Sequence, residues 1–278
     1  MTSRGRPVPG RFSIRIPNER AFYAVLGFVW LLVAWQAATS IDLDPNTPGT
    51  QGLVKKILMS SPVDIFNAGV ADFSSGVIWP HLGISFQEWS LGFLLALAIG
   101  IPFGFAIGLW GRLRMFTGYW LFAVDATPSV ALFPLIVLVV GIGLESKLVM
   151  VVLSAVFQVL LSTMGGVRAV SWKHLEIAHS FGASRGLILR SVIVPTTIPF
   201  MLTGIRLGAG RSLVGVVVAE FQAANQGIGY YIALNGQTLN TARVFIGLLI
   251  LGTFGILVGE LVRLIEHRFD VWRPQIHQ

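Results

Sequence analysis

Residues 171–195, SWKHLEIAHSFGASRGLILRSVIVP, are a polar stretch between long apolar runs, and they hold most of the side chains here whose types and spacing could do chemistry. Gly182, Ala183, Ser184, Arg185 and Gly186 fit the G-x-S-x-G pattern of a serine nucleophile. That pattern works only with a strand before the serine and a helix after it. The residues before it read as helical, and nothing in the chain suggests a parallel sheet, so the pattern does not support acyl transfer. His174 and His179 are five residues apart, whereas zinc-binding pairs four apart share a helix face. No Gly-Lys-Ser or Gly-Lys-Thr occurs, so the chain has no phosphate-cradling loop of its own. The absence of cysteine removes disulfides, thiolate metal sites and thiol nucleophiles. We therefore expect no catalytic and no metal-binding residues.

Charges inside apolar runs form the second set of candidates. Asp125, Arg206 and Arg211 stand in such runs, and a charge in hydrocarbon is costly enough to be aimed at a cavity or a partner. A five-residue step turns about 140° around a helix, so Arg206 and Arg211 cannot share one face. An ion pair of Asp125 with one of the two arginines is the favoured expectation, with direct solute contact as the alternative. Thr127 followed by Pro128 reads as an N-cap and first helical position. The third apolar run should therefore break near Asp125, toward its cytoplasmic side, leaving Asp125, Thr127 and Ser129 as candidates for a pathway or gate with Arg206 and Arg211.

The elements that must position these residues are membrane helices. The chain is 54% apolar and only 12% charged, against roughly 25% charged residues in soluble domains. Its apolar runs reach the roughly 20 residues needed to cross hydrocarbon. Six spans are predicted, at 21–38, 84–110, 115–142, 148–167, 196–219 and 242–264. The first exceeds a signal-peptide apolar core and is expected to remain uncleaved. With the N-terminus cytoplasmic, Arg4, Arg6, Arg11, Arg15, Arg20, Arg112, Arg114, Arg168, Lys173, Arg185, Arg190, Arg263, Arg268 and Arg273 all fall on that side. Only Lys55, Lys56, Lys147 and Arg243 fall on the other. The positive-inside rule selects this orientation and puts residues 171–195 in the cytoplasm. Net charge of +7 then reflects topology rather than nucleic-acid binding.

Residues 41–80, with Leu53, Ile57, Leu58 and Ile65 among Lys55, Lys56 and Asp64, suit either short interfacial helices or an ordinary extracytoplasmic loop. Gly92, Ala96, Gly100, Gly104 and Gly108 recur every fourth position, and Gly204 with Gly208 and Gly255 with Gly259 repeat the spacing. Such faces allow close helix approach, within one bundle or between two copies. In the polar loop a first short helix should run to about Phe181 and stop at Gly182. Ser184 should cap a second, from Arg185 to about Val194, ended by Pro195.

Glu176, Ile177 and Ala178, three residues, Gly182, nine residues, Val192, and then Val194-Pro195 resemble the EAA loop of permease subunits of ATP-binding-cassette importers. Ile177, Val192 and Val194 replace that loop's Ala, Ile and Leu conservatively. The resemblance extends to PSVALFPLIVLVVGIGLESK, GASRG, IRLGAGRSLVGVVVAE and QGIGYYI, which look like permeases for taurine and aliphatic sulfonates, nitrate, bicarbonate and some pyrimidines. It covers roughly residues 81–267. It implies an all-α membrane protein of the type I importer permease fold, with six transmembrane helices and a cytoplasmic coupling loop over 171–195 in which Glu176, Ile177, Ala178, Gly182, Ala183, Ser184 and Pro195 meet the ATPase. On this reading residues 1–80 hold the basic segment, first span and extracytoplasmic segment, 81–267 the permease core, and 268–278 a cytoplasmic tail.

The resemblance further implies two ATPase subunits carrying ATP and Mg, a second permease copy forming a homodimer, an extracytoplasmic solute-binding protein, and alternating access in the bacterial inner membrane with both termini cytoplasmic. A cofactor in this chain itself is not expected. An ATP-independent secondary transporter or channel is the alternative, and a membrane scaffold comes third.

Overall fold

The computed structural model describes residues 19–40 and 59–269, every regular element of which is helical. Arg4, Arg6, Arg11, Arg15, Leu53, Lys55, Lys56, Ile57, Leu58 and Arg273 lie outside the described residues. The chain divides into two compact units, Met1–Phe66 and Asn67–Gln278. The first contains α1 (Glu19–Ser40), an apolar helix with most of its side chains exposed. Near its end Gln36 Oε1 accepts from the Val63 amide at 3.3 Å, at the start of α2 (Pro62–Ser74).

The second unit is built around α6 (Leu144–Arg168), which lies between α3 (Ile78–Leu109) and α9 (Val194–Ala223). Lipid tails are as apolar as leucine, so exclusion from solvent does not drive these helices together, and close contact must do so. Glycine supplies that contact. A methyl group placed on Gly92, Gly104 or Gly108 of α3 would come within 2.6, 2.7 and 2.7 Å of the Val151, Thr163 and Val167 Cβ atoms of α6. From the other side, one on Gly204 of α9 would come within 2.6 Å of Ser162 Cβ, and one on Gly215 within 2.6 Å of Ser154 Oγ. The small-residue faces of α3 and α9 thus serve packing inside the bundle. On α11 (Thr241–Phe269) a methyl on Gly255 would meet only Leu213 Cδ1, at an ordinary 3.5 Å, and one on Gly259 has no atom within 4 Å, so this pair packs less closely than those of α3 and α9.

Among the described residues, five helices are long and apolar enough to cross a bilayer, and a bent pair, Gly111–Ala126 with Ser129–Val140, makes a sixth span when taken together. The two halves of that pair, α4 (Gly111–Ala126) and a 3-10 turn leading into α5 (Phe133–Val140), meet at 88°. The break falls where expected in sequence, but two details need correction. Thr127 ends α4 rather than capping the next helix, its hydroxyl donating back to the Ala123 carbonyl at 3.0 Å, and α5 starts only at Phe133. The break also lies opposite the middle of α6, because Ser129 meets Ser154 and Asp125 meets Gln158 there, rather than toward one end of the span.

A helix absent from the sequence expectation, α10 (Ile228–Gln237), packs between α9 and α11. Its residues are too few to span a bilayer, and its buried Ile228, Tyr231 and Ile232 join Ile78 in a small core.

Replacing Gly104 by valine should destabilise the bundle by about 1–3 kcal/mol through overpacking against the α6 backbone. Gly118→Val should be tolerated, since nothing lies within 4 Å of a methyl there. Thermal unfolding of the two purified variants checks this, and equal loss would refute the packing argument.

Candidate functional site: a polar helical loop and a broken span

The loop between α6 and α9 starts with α7 (Trp172–Ser180). It stops by a Schellman motif: the Ala183 amide donates to the Ala178 carbonyl at 3.0 Å and the Gly182 amide to the His179 carbonyl at 2.9 Å. The motif requires a left-handed residue, and Gly182 has φ of +73°. This geometry explains the spacing between Ala178 and Gly182, since the helix end is tied to the carbonyl three positions before its cap. Ser184 then caps α8 (Arg185–Ile188), its Oγ accepting from the Leu187 amide at 3.4 Å. That hydroxyl caps a helix and has no strand before it, which removes the nucleophile reading.

Pro195 differs from expectation. Instead of ending the second short helix it stands in the first turn of α9, and the helix runs on through a π turn, Leu189–Ile193. The wide turn lets the Val194 amide reach the Leu189 carbonyl. Pro195 has no N–H to place, so the proline costs no hydrogen bond there. Helix thus continues over Arg185–Ala223.

Trp172, Ile177, Phe181 and Leu187 are all exposed on this loop, Phe181 by 87%. Glu176 is exposed as well. Beside them Ile177, Ala178, Val192, Pro195, Pro199 and Phe200 line an open, mainly apolar cavity of ≈840 Å³. Large apolar residues exposed at the tip of a polar loop mark a surface that contacts another protein or the membrane.

At the broken span, Asp125 Oδ1 accepts from Gln158 Nε2 at 2.9 Å and from Arg211 Nη1 at 3.2 Å. The favoured ion pair therefore forms with Arg211, whose side chain remains 55% exposed. Both line a cavity of ≈340 Å³ with Thr127, Ser129, Ser154 and Phe157. Arg206, five residues away on α9, does not line that cavity, in keeping with its different helix face.

The sequence reading missed a third group, at the end of the bundle remote from α7. Glu88 and Lys147 form a buried ion pair between α3 and α6. Glu220 accepts from Ser85 Oγ and from the Gly229 amide, each at 2.6 Å, while the Ile228 amide donates to Ser85 Oγ at 2.7 Å. These bonds tie the start of α10 to α3 and α9. Asp72 of α2 is buried, takes a bidentate Arg243 and accepts from the Tyr231 hydroxyl. Burial and the adjacent Asp72 carboxylate push the Tyr231 phenol above its ordinary range. The signal was available: Glu88 lies inside a predicted apolar span and Lys147 borders one, and charges there must be partnered.

Several apolar helices of membrane-spanning length, one of them broken, with a polar helical loop at one end of the bundle, are the architecture of a multi-pass membrane protein. Residues 96–271 match the profile of the binding-protein-dependent transport system inner membrane component. The chain is 33% identical to the putative aliphatic sulfonates transport permease of Bacillus subtilis over 81% of this chain and 82% of that one. It is 31% identical to the taurine transport system permease of Escherichia coli, over 96% and 95% of the two chains. The MetNI methionine ABC transporter in an inward-facing form shares the fold at a TM-score of 0.57 and 17% identity, covering 71% of this chain and 94% of that one. The chain belongs to the binding-protein-dependent inner-membrane permease family and is a permease subunit of an ABC importer. This removes the alternative of an ATP-independent transporter or channel.

Substituting Lys147 by methionine leaves the Glu88 carboxylate buried without its counter-charge, and removing one partner of such a pair costs about 3–5 kcal/mol. Adding Glu88→Leu should recover most of that loss. Thermal unfolding of the single and double variants measures it, and additive losses would contradict the pairing.

Proposed function

We propose that this chain forms the pathway by which a small anionic solute of the sulfonate class, delivered by an extracytoplasmic binding protein, is imported by alternating access. ATP and Mg bind two separate ATPase subunits, and two copies of this chain form the membrane dimer. Both termini and the loop 171–195 face the cytoplasm, a reading supported by the basic residues concentrated on that side. Glu176, Ile177, Ala178, Gly182, Ala183, Ser184 and Pro195 make up the loop that meets the ATPase.

The observation that carries this reading is the pairing of a Schellman-capped α7 with an exposed apolar rim. Trp172, Ile177 and Phe181 need a protein partner once the loop lies outside lipid. The missing phosphate loop says what that partner must supply. The solute class draws support from the sulfonate and taurine permeases that the chain resembles along most of its length.

Gly182→Glu should leave the protein inserted, because open space surrounds the glycine. Its φ of +73° disfavours any side chain, so the Schellman turn should shift and ATPase binding fall by at least about tenfold. Co-purification of the ATPase and ATP-dependent uptake of a sulfonate into proteoliposomes read this out, and unchanged coupled uptake would overturn the loop's role. Because the chain has no cysteine, a single cysteine at exposed Ser180 should react with impermeant maleimide in inside-out vesicles and not in right-side-out ones.

A further inference from the structure

The ion pair at the broken span is poorly explained as a structural bond. Arg211 is 55% exposed, and pairs of that kind add little to stability. A guanidinium carries five N–H donors in a planar fork, yet only Nη1 engages Asp125. Both hydrogen bonds to Asp125 fall on Oδ1, leaving Oδ2 for another donor. Gln158 holds the carboxylate independently of the arginine, so Arg211 can turn away without releasing Asp125.

We propose that this ≈340 Å³ cavity is a solute subsite for a small zwitterion, with the anionic group on Arg211 and the cationic group on Asp125. The proposal rests on the importer reading above and narrows its solute class. Charge balance is the first argument. The cavity is lined by one positive and one negative charge, and a bare anion taking Arg211 from Asp125 would leave the partly buried carboxylate without its counter-charge. A zwitterion inserted between the two keeps the sum at zero and gives each group a partner.

Helix polarity is the second, independent argument. The carboxyl end of α4 lies at Ala126, beside Asp125, so its last carbonyls add partial negative charge on the side assigned to the cation. Broken helices use such ends to hold cations. Phe157, Leu153 and Val214 supply an apolar wall for a short methylene linker. The volume lies at the lower end of the roughly 300–1,000 Å³ of small-molecule sites, which suits a compact solute.

The test is equilibrium binding to the full-length protein in lipid nanodiscs, without ATP or binding protein. The probes are taurine, propanesulfonate, in which a methyl replaces the ammonium, and propylamine, in which a methyl replaces the sulfonate. Taurine should bind saturably, and each singly charged analogue at least about tenfold more weakly. Arg211→Gln should remove taurine binding. Asp125→Asn keeps the shape and the bond from Gln158, and it should bring taurine to within about twofold of propanesulfonate. Should Arg211→Gln fail to fold, Asp125→Asn alone decides. Equal binding of taurine and propanesulfonate by the unaltered protein, no saturable taurine binding, or a taurine preference that survives Asp125→Asn would each overturn the proposal. Such a failure leaves ATP-driven uptake by the full assembly untouched, so the two readings fall separately.

Discussion

In the second unit every other arrangement depends on α6 being gripped from two sides at backbone distance. Gly92, Gly104 and Gly108 bring α3 onto it, and Gly204 and Gly215 bring α9. Helices that lipid would otherwise separate can be held only by dispersion over such close contacts and by polar bonds across them. The polar groups that face one another across these seams follow from that approach. Trp89 of α3 donates to Ser212 of α9 at 2.8 Å, and Glu88 finds Lys147. Were the helices a side chain further apart, each of these groups would be orphaned in a region where the cost of an unmet hydrogen bond is highest.

The charges divide into two kinds by how tightly they are enclosed. Asp72, Glu88, Lys147 and Glu220 are buried and paired or hydrogen-bonded at one end of the bundle, where Asp72 and Glu220 hold α10 and the helix ends around it. Arg211 and Asp125 stand halfway along α6, partly open and thinly bonded. A buried network resists change because breaking any member strands the others. A half-open pair can exchange partners at small cost.

Much of this was legible from residue order. Apolar runs marked the spans, because a bilayer requires about 20 such residues. Gly182 and Ser184 marked the turn between α7 and α8, because the left-handed conformation and the N-cap have narrow residue preferences. Asp125 with an arginine was legible as a pair because a charge inside an apolar run needs a partner. Two features were not. The course of the chain past Pro195 depends on a π turn whose extra residue has no compositional mark. Short α10 has the length of a loop segment and its first turn is held by Ser85, distant in sequence, as well as by Glu220, so its own residues do not announce it.

The unbroken helix over Arg185–Ala223 has a mechanical consequence. A lever is as stiff as its weakest turn, and here that turn, Leu189–Ile193, sits close to the loop end. Beyond it the rod passes Arg211 and ends beside Glu220 without a joint other than Pro199. A load applied at Arg185 would therefore be taken up first in the wide turn and then at Pro199 before it reached the stretch of helix that carries Arg211 and Glu220.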